Sequence, residues 1–227
     1  CIKRLRNGIE LLNDNNVWNA FKLMNEAMLL QRIKTKKGVN PNEVSWYPFQ
    51  LAYILQIIPD IADKESDWRE NVDLLWFPTG GGKTEAYLGL SAFVIFYRRL
   101  TNKFDCDDGV AIIMRYTLRL LTIQQFERAS ALICACEYIR KKHNLKGGEI
   151  SIGLWIGSAM TPNKLEDAKN NLDKLLQDSD ASIYGGNPMQ LAKCPYCGKE
   201  LDVGCYTISA DGMKISCKNN ADCEFHN

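Results

Sequence analysis

No run of apolar residues in the chain approaches the ~20 needed to cross a bilayer as a helix, which excludes a membrane-spanning helix from the reading and makes a membrane partner unexpected. The start, Cys1-Ile2-Lys3-Arg4-Leu5-Arg6, has no apolar core behind its charges, so it does not read as a secretory signal. It also lacks an initiator Met, and a fragment of a longer protein is the expectation. Charge of one sign is missing too. Lys and Arg number 28 against 27 Asp and Glu, for a net charge of +1. A broadly basic nucleic-acid coat is therefore excluded, and any such surface must be a local patch. What remains is an ordinary soluble composition, 46% hydrophobic and 24% charged, in 227 residues. That is enough for one large domain or a domain with an appendage.

One stretch dominates the rest, Phe77-Pro78-Thr79-Gly80-Gly81-Gly82-Lys83-Thr84. An apolar run, 72–77, leads into it, and a helical pattern over 84–100 leaves it. Strand, glycine-rich turn and Lys-Thr opening a helix is an arrangement that cradles the phosphates of a nucleotide. The glycines let backbone N–H groups surround the anion. Lys83 reaches the terminal phosphates, and the Thr84 hydroxyl can join a Mg²⁺ shell. A glycine-rich turn with no ligand is the plain alternative. Three successive glycines cost about 0.5–1 kcal/mol each relative to alanine where regular structure is possible. The general phosphate-loop pattern asks for glycine where Phe77 stands.

Before the loop, residues 17–36 read as an amphipathic helix with Val17, Phe21, Met24 and Met28 on one face. A second helix starts at Pro48 and stops at Pro59. After the loop, short apolar runs at 110–114 and 150–155 alternate with a long helix from Leu118 to His143. With the run at 72–77 they predict parallel strands buried on both faces, an open α/β sheet with ligands at the carboxyl ends of its strands. Thr161 and Pro162 then read as the cap and first turn of another helix. Gly185-Gly186-Asn187-Pro188 breaks the pattern.

Nine cysteines are present, and five of them fall in the last 34 residues. Clustering beside a phosphate loop argues for a metal site in a reducing compartment, the cytoplasm, rather than a secreted disulfide framework. Cys194, Cys197, Cys217 and Cys223 have the spacing C-x2-C-x19-C-x5-C, a four-thiolate shell for structural Zn²⁺. Cys205 or His226 could replace one of the second pair. Such a short segment lies below the ~40 residues at which a small unit folds without a staple, and structural zinc supplies an apparent ~10–16 kcal/mol. Cys1, Cys106, Cys134 and Cys136 lack partner spacing; Cys134 and Cys136, two apart on a helix and so facing different directions, read as packing thiols.

Weaker signals surround these. Arg115, Thr117 and Arg119 follow a predicted strand and could touch a phosphate backbone, or form a solvated helix start. Gly157 follows the next strand. Gln50 could read a nucleotide base or be an exposed filler on its helix. Trp46, Tyr47 and Phe49 read as core or a packing seam.

Taken together these residues resemble superfamily 2 helicases, whose first motif runs Ala-x-x-Gly-x-Gly-Lys-Thr, with Phe77 here in the alanine's place. Arg119, Leu121 and Gln124 have the spacing of the Arg-x-Leu-x-x-Gln in a nucleic-acid-contacting motif of that family, and Gly157 resembles the glycine of the next one. Trp46–Leu55, Leu75–Leu100 and Met114–Ala129, followed by Cys-Pro-x-Cys-Gly, look most like the helicase subunit of DISARM-type phage-defence systems. The resemblance covers most of residues 46–223. It implies a partial RecA-like P-loop lobe over 71–190, preceded by a helical region, 1–70, and followed by a zinc-binding insertion, 191–227. It further implies that Thr79, Gly80, Gly81, Gly82, Lys83 and Thr84, with Gln50, hold ATP and Mg²⁺. Arg115, Thr117, Arg119, Gln124 and Gly157 would contact nucleic acid, DNA being expected ahead of RNA, and a defence-system subunit is a possible partner. The family's Asp-Glu box and second lobe are not found; Asp222-Cys223-Glu224 breaks the order. The segment alone should then hydrolyse ATP negligibly. Two alternatives stand beside the motor: another P-loop enzyme with a zinc lid, and a zinc-containing interaction module whose loop no longer turns over nucleotide.

Overall fold

The computed structural model describes the chain apart from residues 37, 79, 102–108, 117–118, 180, 184–185, 211, 220–221 and 227, and the side chains of 119–121. Among the described residues are six α-helices: α1 (Ile2–Leu11), α2 (Asn15–Thr35), α3 (Pro48–Ala62), α4 (Lys83–Thr101), α5 (Arg119–Lys142) and α6 (Leu165–Gln177). The strands among the described residues are β1 (Tyr206–Ser209) and β2 (Gly212–Ile215), an antiparallel pair with Tyr206 opposite Ile215. None of the helices is long and apolar enough to cross a membrane among the described residues.

The parallel α/β sheet expected from the sequence is not there. Residues 72–78, 110–116 and 151–157 run without strand pairing among the described residues. The reason lies in their burial. Val72 is 96% exposed and Trp76 88%, while Asp73 and Leu75 between them are half-buried. Val110 and Ile113 also face solvent, and Trp155 is 99% exposed. A parallel strand needs neighbours over both faces and hydrogen-bonded chains at both edges. These runs have one sheltered face and an open one, so their apolar content does not report a central strand.

The chain divides into two units. The first comprises Cys1–Met114 and Leu132–Ser151. Its core is helical: α2 packs on α4, α1 on α3, and α3 on α4. Asp14 caps α2 by accepting from the N–H groups of Asn16 and Val17, so this helix starts two residues earlier than its apolar face suggested. Val17, Ala20, Met24 and Ala27 form the buried stripe of α2, and Phe93 and Phe96 that of α4. Helix α3 does not stop at Pro59 but continues to Ala62 with the proline inside it. Proline has no N–H for the carbonyl four residues back, here that of Leu55. Gly8 of α1 lies directly on that carbonyl: a Cβ built on Gly8 would stand 1.8 Å from Leu55 O.

The second unit comprises Arg115–Ala131 and Ile152–Asn227. Here α6 packs against β1 and the short helical turn Val203–Cys205 before it. Helix α6 begins at Leu165, later than Thr161-Pro162 suggested, with Lys164 at its cap and no side-chain capping bond. Thr161 instead belongs to a turn in which the N–H groups of Met160 and Thr161 donate to Gly157 O. Asn171, buried on α6, donates to Gly186 O at 3.0 Å, and the buried Tyr206 hydroxyl donates to Leu191 O at 2.6 Å. These bonds hold the segment that delivers Cys194.

Candidate functional site

The glycine-rich turn opens directly into α4, whose first residue is Lys83. Gly80 and Gly82 have φ of +78° and +90°, the left-handed region that disfavours side chains. The N–H of Gly81 donates to Pro78 O, closing the turn. The Lys83 ammonium donates to the carbonyls of Phe77 and Pro78, which fold its charge back over the turn. The partial positive charge of the N-terminus of α4, roughly half an elementary charge for a full helix, is added at the same place. Thr84 follows in the first turn. Thr79 lies outside the described residues.

Two features of α3 set the turn in place. Phe77 stacks on Phe49 with ring centroids 3.8 Å apart and planes 14° from parallel. The ring also lies over Gly81, where an added Cβ would come within 2.5 Å of it. Phe77 therefore does a packing task in place of the glycine of the general pattern. Gln50 is only 3% exposed, so the filler alternative does not hold. Its Nε2 donates to Gly82 O at 2.7 Å and its Oε1 accepts from the N–H of Tyr47 at 2.8 Å. Trp46 is not simply core: its Nε1 donates to Asn25 of α2 at 2.7 Å, and its ring covers Gly89 of α4.

The second candidate site is the cysteine cluster. Cys194, Cys197, Cys217 and Cys223 converge, with all four sulfurs within 4.8 Å of one another. The Sγ atoms of Cys194 and Cys223 are 3.7 Å apart and those of Cys197 and Cys217 are 3.5 Å apart. Four thiolates at ~2.3 Å from a zinc ion in a tetrahedron stand about 3.8 Å from each other, so the donor set fits that ion. Two backbone knuckles make the approach. In the first, Gly198 N–H donates to Cys194 O at 2.9 Å and Cys194 N–H to Lys199 O at 2.8 Å. In the second, Cys217 N–H donates to Phe225 O, and Asn219 N–H points at the Cys217 sulfur. Tyr196 and Phe225 close over the cluster from the two knuckles, 5.3 Å apart.

Burial opposes charge on the sulfurs of Cys194, Cys197 and Cys223, but not to the same net effect. It pushes Cys194 up to about 11 and drives Cys223 upward as well. At Cys197 burial also raises the pKa, yet the Lys199 backbone N–H and the neighbouring Cys217, Asn219 and Cys194 outweigh it and bring the thiol down to about 7. Neither alternative ligand joins the cluster. Cys205 is buried and its thiol donates to Asp202 at 3.7 Å, while His226 Nδ1 donates to the carbonyl of Cys223.

The expected nucleic-acid contacts are described only in part. Arg115 and Gln124 are exposed, and Gly157 is an exposed residue opening the 157–161 turn. Thr117 and the Arg119 side chain lie outside the described residues. The described residues form no parallel sheet, so Arg115, Gln124 and Gly157 do not line the carboxyl edge of one. Three residues that no motif marks, Arg4, Asp60 and Asp73, meet in one ionic cluster, with Arg4 and Asp60 buried and Asp73 half-buried. One signal was visible: Asp73 is a lone charge inside the apolar run 72–77.

No protein-family model matches the chain. It is 41% identical to the DISARM protein DrmA of Bacillus paralicheniformis over an alignment of 245 residues that takes in 97% of this chain. That relative is much longer, and the chain spans about a fifth of it, 22%.

Proposed function

We propose that this chain is the phosphate-gripping part of an ATP-driven nucleic-acid motor, a superfamily 2 helicase or translocase, acting in DISARM-type anti-phage defence in the cytoplasm. One observation carries the reading: Gly80, Gly81 and Gly82 turn directly into α4, so that Lys83, Thr84 and the helix N-terminus share one point. The similarity to DrmA supports the defence context.

In this reading the N–H groups of Gly80 and Gly82 face the phosphates, that of Gly81 leaves Pro78 O to join them, and Lys83 leaves the carbonyls of Phe77 and Pro78 for the terminal phosphate. Thr79 and Thr84 complete the cradle, and the Thr84 hydroxyl belongs to the Mg²⁺ shell. Gln50 holds the exit of the turn and presents its remaining amide hydrogen toward the nucleotide. The bound Mg²⁺ supplies charge neutralisation for the transferred phosphoryl group. Arg115, Thr117, Arg119, Gln124 and Gly157 contact the strand, DNA ahead of RNA. The four-cysteine module carries a structural Zn²⁺ that braces its own fold and offers a surface to a partner subunit of the defence system. The segment alone binds nucleotide without turning it over.

ATP hydrolysis by the intact protein, measured with and without single- and double-stranded DNA and RNA, tests the motor. Stimulation by a polynucleotide, abolished in Lys83→Ala, is expected. ATPase activity indifferent to every polynucleotide would favour another P-loop enzyme, and no ATPase with full metal content would favour the zinc-containing interaction module.

A further inference from the structure

The glycine turn is held by α3 at one end through Gln50, and the other end has a holder of its own. Arg4 of α1 is buried and reaches two carboxylates distant in sequence. Its Nη1 donates to Asp73 Oδ1 at 2.6 Å and its Nη2 to Asp73 Oδ2 at 2.9 Å, a two-pronged grip on the segment that runs into the turn. The same Nη2 donates to Asp60, near the end of α3. Asp60 is fixed in turn: Ser66 Oγ donates to its other oxygen at 2.6 Å, and Arg69 donates to its backbone carbonyl at 2.6 Å. Trp68 lies under the guanidinium, 5.5 Å from ring centroid to Cζ.

Asp60 and Gln50 are ten residues apart on one helix, a span of about 15 Å. Asp73 and Gly82 are nine residues apart on the segment that carries the turn. Helix α3 therefore meets this segment at three points: at Gly82 through Gln50, at Phe77 through the Phe49 ring, and at Asp73 through Arg4. The planar, forked guanidinium is suited to this, since its two parallel N–H groups match the two oxygens of Asp73, a fixed geometry that the single point of a lysine ammonium does not supply. The geometry points to Arg4 as a positioning residue for the phosphate turn, acting through Asp73 and Asp60 to set where residues 77–82 sit. This inference rests on the nucleotide reading above only for its effect on affinity; its effect on the turn itself does not.

Two measurements on the intact protein separate these. Arg4→Lys keeps the charge and loses the fork; Asp73→Asn keeps the shape and loses the charge, and serves if the first variant does not fold. Amide hydrogen exchange should quicken in the 77–82 segment of either variant while α2 and the cysteine module keep wild-type protection. Affinity for a fluorescent ATP analogue should fall roughly tenfold to a hundredfold, the scale of a displacement near 1 Å. Wild-type exchange at 77–82 in both variants would overturn the inference, as would quickened exchange spread equally over α1, α2 and α4, which marks a merely structural role. Changed exchange at 77–82 in a protein that binds no nucleotide even as wild type would uphold the positioning and sink the nucleotide reading.

Discussion

Gln50 Nε2 donates to the backbone oxygen of Gly82 at 2.7 Å, and so ties the N-terminal turn of α3 to the residue preceding α4. The other half of the same amide accepts from Tyr47 N–H, closing a capping box on α3. Gln50→Ala removes both bonds from a buried position and should lower unfolding free energy by about 1–3 kcal/mol in denaturant titration. Gln50→Glu keeps the acceptor and loses the donor, placing a carboxylate against the Gly82 carbonyl. It should cost at least as much as alanine at neutral pH; a wild-type midpoint for Gln50→Glu would contradict the assigned bond.

Gly8 meets Leu55 O so closely that no side chain fits between them. Alanine in a helix is normally favoured over glycine by up to ~1 kcal/mol. Overpacking against a fixed backbone typically costs about 1–3 kcal/mol. The clash should win, so Gly8→Ala is expected to destabilise, read as a lowered thermal midpoint. A raised midpoint would mean that α1 and α3 separate without penalty.

Metal analysis of the purified protein should return about one zinc ion per chain. Cys194→Ser should lose it, and a chelator should unfold the segment around β1 and β2, since the ion supplies an apparent ~10–16 kcal/mol in small modules. Cys205→Ser is the control, because that thiol faces Asp202 and lies outside the cluster. Metal loss in Cys205→Ser would put the wrong cysteines in the shell.

Glu137 gives the helical unit a pH dependence. Burial alone would raise its pKa, but Arg140, donating through Nε and Nη2 at 2.7 Å each, and Ile150 N–H at 3.0 Å hold it below the usual carboxylate range. A carboxylate with a depressed folded pKa stabilises fully above its unfolded value, near 4.3, and loses that contribution as pH falls through the folded value. Glu137→Gln should therefore be less stable than wild type by about 1.5–3 kcal/mol at pH 7, with the gap closing in acid below pH ~4. A gap independent of pH would show that charge on Glu137 plays no part.

Helices were largely legible in the sequence because their periodicity is local. The stripe of α2 and the length of α4 can be read within a few turns. The cysteine spacing was legible for the same reason, as each short pair bends into one local knuckle. The run 72–77 was misread because Val72, Leu74 and Trp76 carry apolar character without a face to bury it against. Strand pairing is decided by distant chain, and no local pattern contains it. Pro59 misled in the opposite sense. The carbonyl that Pro59 leaves without a partner, that of Leu55, is covered by Gly8, 47 residues before Leu55. The Arg4–Asp73 grip joins residues 69 positions apart, beyond the reach of any periodicity.

The two knuckles of the cysteine cluster also impose an order on biosynthesis. Cys194 and Cys197 leave the ribosome 20 residues or more before Cys217 and Cys223. At about 5–20 residues per second, the first pair waits roughly one to four seconds as an open dithiol. During that interval it is a two-coordinate metal trap and an oxidisable pair. A four-sulfur shell can close only once the second knuckle has followed the first.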